Sequence, residues 1–184
     1  VPVYIENDSA LVGLGEAVAG AGKGYNIVAY ITVSTGVGGA RITGGEIDER
    51  AYGFEPGWQI MNFADLLENK DSAYLGYNIS GSALEKRFGK KAKDIIDDNV
   101  QEDLSRYLAG GLHNTILHWS PDVVVLGGSM ITGINPISLD KVEMKLRELL
   151  IVFPEIPVIK KAVLGDLGGL YGALEFVSKK QNAE

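Results

Sequence analysis

Cysteine is absent from the 184 residues. That single absence removes disulfides, thiolate nucleophiles and cysteine-ligated zinc together. Histidine is almost as scarce: His113 and His118 are the only two, and their spacing of five turns them to different faces of a helix, unlike a metal-binding pair. No apolar run approaches the ~20 residues of a membrane span, and the N-terminus lacks the basic and apolar pattern of a secretory signal, so the chain reads as cytoplasmic. Positive charge is in deficit, with a net charge of -7 and no basic cluster, which argues against a nucleic-acid surface. No initiator methionine is present either. The chain opens on Val1-Pro2-Val3-Tyr4-Ile5, an expected strand, and so reads as a piece of a longer protein. Internal repeats, low-complexity tracts and interdomain linkers are lacking.

What is present is glycine, 24 residues of it, concentrated at the ends of apolar runs. The stretch Val33-Ser34-Thr35-Gly36-Val37-Gly38-Gly39-Ala40 follows Ile27-Val28-Ala29-Tyr30-Ile31-Thr32-Val33, whose β-branched and aromatic content reads as a strand, and leads into Arg41-Ile42-Thr43. Such a turn is either an ordinary hairpin or a loop whose backbone N–H groups converge on an anion, with the Thr35 hydroxyl beside them. Gly44-Gly45 signals a second hairpin, so three short antiparallel strands are expected.

Upstream, Glu6-Asn7-Asp8-Ser9 offers N-cap chemistry for a helix over residues 10–19. Asp8 or Asn7 caps that helix, or Asp8 turns its carboxylate into a cleft as a proton acceptor, and with two neighbouring polar residues both roles can coexist. Glu55 and Trp58 share a loop broken by Pro56 and Gly57, and an acid plus an aromatic ring suits sugar recognition as well as it suits a surface turn. Residues 62–78 read as irregular and 80–89 as a short capped helix. Leu104, Leu108, Leu112 and Ile116 repeat at helical spacing in a long helix to about Trp119. Val123-Val124-Val125-Leu126 reads as a buried strand ending in Gly127-Gly128, where open α/β sheets bind ligands. A helix around 142–150, a strand at 157–160 and a glycine-rich closing helix from residue 164 complete the pattern. The closing helix suits tight packing better than cofactor contact. The order predicts an α/β domain, a mixed sheet with helices on both faces.

The ordered set Glu6-Asn7-Asp8 with Ala10 and Glu16, Ser34-Thr35-Gly36-Val37-Gly38-Gly39, Gly53-Phe54-Glu55-Pro56-Gly57, Ser80-Gly81-Ser82-Ala83-Leu84, Val125-Leu126-Gly127-Gly128 and Gly165-Asp166 with Gly172-Ala173 resembles the ROK family of repressors and sugar kinases. The resemblance spans the chain, and its specificity lies in the set, not in any one motif. It implies a ribonuclease H-like fold of the actin/hexokinase ATPase type, and the larger C-terminal domain of an ATP-dependent kinase for a hexose or amino sugar. It implies Asp8 as the base, Asn7, Glu55 and Trp58 at the sugar, and Thr35, Gly36, Gly38, Gly127 and Gly128 at the nucleotide. It also implies ATP with Mg²⁺ as cofactor, no zinc, and a homodimer.

Three positions depart from the family pattern. Trp58 stands where the family commonly has a histidine, the cysteine cluster is missing, and Gly76 falls where a second sugar-binding glutamate would come. The first phosphate-binding turn of the family's N-terminal lobe is not in these residues, so the chain alone is expected to have little kinase activity. The alternatives the resemblance leaves are the sugar-sensing domain of a repressor and a degenerate, non-catalytic homologue.

Overall fold

Nearly every residue from Ile27 to Val33 is apolar on both sides of the pleat, the signature of a strand covered on two faces. The computed structural model of the chain, which describes residues 2–182, makes this run β1 (Ile27–Val33) and the middle of a five-stranded mixed sheet. β1 turns back into β2 (Val37–Thr43), and the Gly44-Gly45 turn leads to β3 (Glu46–Ile47), all antiparallel. β4 (Val123–Gly127) and β5 (Val158–Lys161) lie parallel on the other side of β1, so the order is β3-β2-β1-β4-β5.

Period-two alternation sends the two sides of β1 and β4 into different cores. Val28, Tyr30, Val123 and Val125 pack with Ala10 and Leu14 of α1 (Asp8–Ala19) and with Phe176 of α8 (Gly168–Asn182). Ala29, Ile31, Val124 and Leu126 pack with Leu104, Leu108 and Leu112 of α5 (Asp98–Trp119) and with Val142 and Leu146 of α7 (Leu139–Leu149). Helices thus cover both faces, as the sequence predicts. Between β3 and α5 lie α2 (Phe63–Leu67), α3 (Gly76–Ile79) and α4 (Gly81–Phe88), so the stretch read as irregular contains two short helices. α4 is capped by Ser80 and closed by Gly89 in the left-handed region, the two signals read from the sequence.

α1 and α8 touch backbone to backbone. A Cβ on Gly172 would stand 1.7 Å from the Leu11 carbonyl oxygen, and one on Gly15 only 2.1 Å from that of Gly168. The glycine-rich closing helix is therefore explained by close packing.

The expected opening strand is a correction. Residues 2–7 form no strand, Val1 lying outside the described residues. No strand of the sheet runs alongside, and Val3 and Ile5 stand 84% and 92% exposed. The segment is instead held by the ion pair of Glu6 with Arg50. Burial acts to raise the Glu6 carboxyl, but Arg50 and the Asn7 N–H together outweigh it and hold the group below its ordinary value of 4.5.

Two outcomes test these contacts. Gly172→Ala is expected to cost about 3 kcal/mol or prevent folding, because both neighbours of the new methyl are backbone. Gly169→Ala, whose Cβ would meet only Val12 Cγ2 at 3.7 Å, should gain about 0.5–1 kcal/mol in the same denaturant titration. For Glu6, a folded value below the unfolded one gives stability that is complete above pH 4.5 and is lost as pH falls through the folded value. Glu6→Gln should therefore lower stability near neutrality by about 1 kcal/mol and flatten the acid limb of melting temperature against pH.

Candidate functional site

The N-terminus of α1 divides its work between two neighbours. Asn7, in extended backbone, caps the helix through its side-chain oxygen, which accepts from the Ala10 N–H at 3.1 Å. Asp8 is thereby free of capping. One of its oxygens accepts from the Ser9 N–H at 2.6 Å and from Ser9 Oγ at 3.3 Å, and the other has no partner among the described residues. The carboxylate is exposed, not sealed in the interior. β2 passes close beneath: a Cβ on Gly38 would lie 2.6 Å from Ser9 Oγ, so a larger residue there would turn the Ser9 hydroxyl from its place beside Asp8.

The turn joining β1 to β2 is braced from outside. Ser34 N–H donates to the Gly36 carbonyl at 2.8 Å, Gly81 N–H donates to the Ser34 carbonyl at 2.7 Å, and Ser82 Oγ donates to the Thr35 carbonyl. Ser34 Oγ also meets Ser129 Oγ at 3.1 Å. Among the described residues the Thr35 hydroxyl and the N–H groups of Thr35 and Gly36 make no hydrogen bond, and a Cβ on Gly36 would meet nothing within 4 Å. The turn is rigid behind and unsatisfied in front.

Glu55 reaches the same place through its loop. A Cβ on Gly57 would stand 2.5 Å from the Val37 carbonyl oxygen, and one on Gly39 3.1 Å from Pro56 Cγ, so the loop lies flat against β2. The Glu55 carboxylate is exposed and makes no hydrogen bond or ion pair among the described residues. Asn7, Asp8, Thr35, Gly36, Gly38 and Glu55 consequently line one cleft of about 400 Å³, with Ser9, Ser34 and Phe54 completing its wall. Tyr30 sits behind it, its phenol raised first by burial and further by the charges of Glu16 and Asp8, against a hydrogen bond with Thr32.

Three other candidates stand outside this cleft. Trp58 and Gly76 line a neighbouring one of about 360 Å³ that shares Thr35, Gly36 and Val37 with it. Gly127 ends β4 in the buried core, where a Cβ would meet Tyr30 Oη at 2.6 Å. Gly128 has a φ of 87°, a conformation that favours glycine, and starts the short α6 (Ser129–Thr132) that braces Ser34. Local pattern did not single out Ser9, Ser82 or Ser129. Ser9 is signalled only by its place beside Asp8, and nothing in the sequence links Ser82 or Ser129 to the turn, since those contacts span 47 and 95 positions. A larger hollow of about 750 Å³ lies between β3, the N-terminal segment and α8. Among its charges Glu6 pairs with Arg50 and Lys179 with Glu46, while Lys180 lies over the Phe176 ring.

The model of the ROK family matches residues 1–180. A fructokinase from Pediococcus pentosaceus is 28% identical over 183 residues, covering 95% of this chain and 63% of its own length. The xylose repressor of Bacillus spizizenii is 28% identical over 178 residues, covering 85% and 44% respectively. Among solved structures, a ROK hexokinase from Thermus thermophilus superposes with a TM-score of 0.80 at 29% identity, covering 96% of this chain and 68% of that one. The chain spans about half to two thirds of the length of the curated relatives it matches, 46–66% for the fructokinases. A family model matched across almost every position, with the sheet order and helix placement to go with it, settles the assignment: the chain belongs to the ROK family.

Proposed function

We propose that this chain supplies the lobe of a sugar kinase that carries the catalytic base and one of its phosphate-binding turns, the whole protein transferring the γ-phosphate of ATP to a hydroxyl of a hexose or amino sugar. The observation that carries this reading is the single cleft in which Asp8, Glu55 and the unsatisfied Thr35–Gly36 turn meet. Phosphoryl transfer asks mainly for positioning and charge stabilisation, and a cleft with one unpaired carboxylate facing donors for phosphate oxygens meets both needs.

In this assignment Glu55 accepts from sugar hydroxyls and Asn7 keeps Asp8 in register through the cap. The free oxygen of Asp8 accepts the proton of the attacking hydroxyl late in transfer, so its basicity can stay modest. The Thr35 hydroxyl and the N–H groups of Thr35 and Gly36 donate to phosphate oxygens. Gly38 bears on the phosphate end by letting the turn approach Asp8. Gly127 and Gly128 are assigned to the nucleotide indirectly, as the turn that sets Ser129 against Ser34. Mg²⁺, which neutralises phosphate charge when bound, would arrive with the nucleotide, since no group of three or more acidic or histidine side chains is poised for a metal among the described residues. No helix among them is long and apolar enough to cross a membrane, consistent with a cytoplasmic enzyme.

A second reading, the sugar-sensing domain of a regulator, draws on the likeness to a xylose repressor. The two differ in what Asp8 is for. In the full-length protein Asp8→Asn is expected to lower kcat by about 10²–10⁴-fold with sugar affinity nearly unchanged, measured by coupled ADP release and calorimetry. Sugar binding without any ATP turnover in the unaltered protein would favour the sensor. Glu55→Gln, which trades a charged acceptor for a neutral one, should weaken sugar binding by about tenfold.

A further inference from the structure

Thr32 stands near the carboxyl end of β1 with a glycine on either side of it, Gly38 across the ladder on β2 and Gly127 on β4. Neither cross-strand neighbour covers it, and it lies half-buried in the wall of the Asp8 cleft. Its two branches face different ways. A Cβ on Gly38 would lie 3.6 Å from Thr32 Cγ2, whereas one on Gly128 would lie 2.7 Å from Thr32 Oγ1. The hydroxyl is therefore on the β4 side, to which the nucleotide is assigned.

Behind it is Tyr30, two residues back on the same face of β1 and only 3% exposed. Its ring is clamped at both ends: a Cβ on Gly13 would stand 2.9 Å from Tyr30 Cβ, and one on Gly127 2.6 Å from Tyr30 Oη. A buried phenol needs a hydrogen-bond partner, and among the described residues Tyr30 has Thr32 alone. Burial first, and then the charges of Glu16 and Asp8, hold the phenol above its ordinary value of 10.0, so it keeps its proton near neutrality. A retained proton with one acceptor in reach sets the order of the chain. Tyr30 donates, the Thr32 oxygen accepts, and the Thr32 proton is left for an acceptor that no described residue supplies.

Resting on the kinase reading of this cleft, we propose that Thr32 is a further catalytic contact, its hydroxyl donating to a non-bridging oxygen of the phosphoryl group in transfer, and that Tyr30 is the positioning residue that aims it. The bond from the γ-phosphorus to the ADP oxygen breaks, a bond from that phosphorus to the sugar oxygen forms, and the sugar hydroxyl proton goes to Asp8. Thr32 keeps its own proton throughout. Such a fixed donor is worth most where charge spreads over the phosphoryl oxygens, so it acts on turnover more than on binding.

The test uses the full-length protein with ATP and whichever of glucose, fructose and mannose it phosphorylates fastest, with calorimetry of that sugar and of AMP-PNP alongside. Thr32→Val, which keeps the shape and removes the hydroxyl, is expected to lower kcat by about 10–10²-fold while both dissociation constants stay within about twofold. Thr32→Ser, which keeps the donor, should hold kcat within about threefold. Tyr30→Phe should lower kcat several-fold in the unaltered background and have no further effect beside Thr32→Val, because it acts through that hydroxyl. The double variant also removes both partners of the buried hydrogen bond, so it serves where Thr32→Val alone fails to fold. A kcat unchanged by Thr32→Val, or lost equally with serine, would overturn the proposal, as would a loss confined to sugar affinity. Full additivity of the two variants would overturn the role of Tyr30. Turnover that falls with Asp8→Asn but is indifferent to Thr32 strikes this proposal and leaves the kinase reading standing, whereas no turnover with any of the three sugars strikes both.

Discussion

Glu16 has left water almost entirely, at 1% exposure, and its carboxylate accepts three backbone N–H groups: Val163 at 2.9 Å, Leu164 at 2.8 Å and Ala21 at 2.8 Å. A buried carboxylate without such partners would cost several kcal/mol, so the contact is close to obligatory once α1 is against the sheet. It fixes the C-terminal end of α1 to the segment that follows β5, 147 positions away. The glycine crossing with α8 fixes the middle, and the Asn7 cap closes the beginning. Asp8 is consequently positioned by a helix restrained at three points, and its own side chain need contribute little. Rigidity of this kind is what the base role proposed for Asp8 would require, because reacting atoms must lie within about 3–3.5 Å of one another.

The Thr35–Val37 end of the cleft, the proposed phosphate site, is organised on the opposite principle. A two-strand turn has no helix to stiffen it, and this one leaves its front donors open, so its stability comes from segments that pack behind it. α4 supplies Gly81 and Ser82, and the short helix after β4 supplies Ser129. All three belong to elements whose other sides are anchored in the α5 core through Leu84, Met130 and Ile131. Binding donors are thus kept free on one face while every restraint is placed on the other.

Much of this was legible because it is local. The Asn7 cap, the Ser80 and Gly89 ends of α4, the alternation in β1 and the glycine turn are each decided by a few adjacent residues, and all stand where the sequence put them. Residues 62–78 were opaque for a physical reason: helices of four and five residues bury too little of a face to leave a periodic signature. The opening segment shows the reverse failure. Its composition favours a strand, but a strand is a relation between two segments and composition speaks for one. Glu55 and Trp58 are three apart, at the two ends of the one-turn helix at Pro56–Trp58, and they line neighbouring clefts that share Thr35, Gly36 and Val37. Glu16 carried no local sign of its role, since its three partners are set only by the finished packing.

One consequence of the geometry concerns water. Asp8, Thr35, Gly36 and Glu55 are all exposed, so the cleft is open to solvent of high dielectric. Donors aimed at a phosphate are worth far less there than in a closed site, and in the proposed kinase water would compete with the sugar hydroxyl for the transferred group. The residues of this chain solve the positional half of the problem, since every one of them is held from behind. They leave the dielectric half unsolved from the front. A transferase built on this lobe therefore needs a surface that closes over the Thr35 turn when substrates are bound, and the selectivity for sugar over water would reside in that closure, not in the strength of Asp8 as a base.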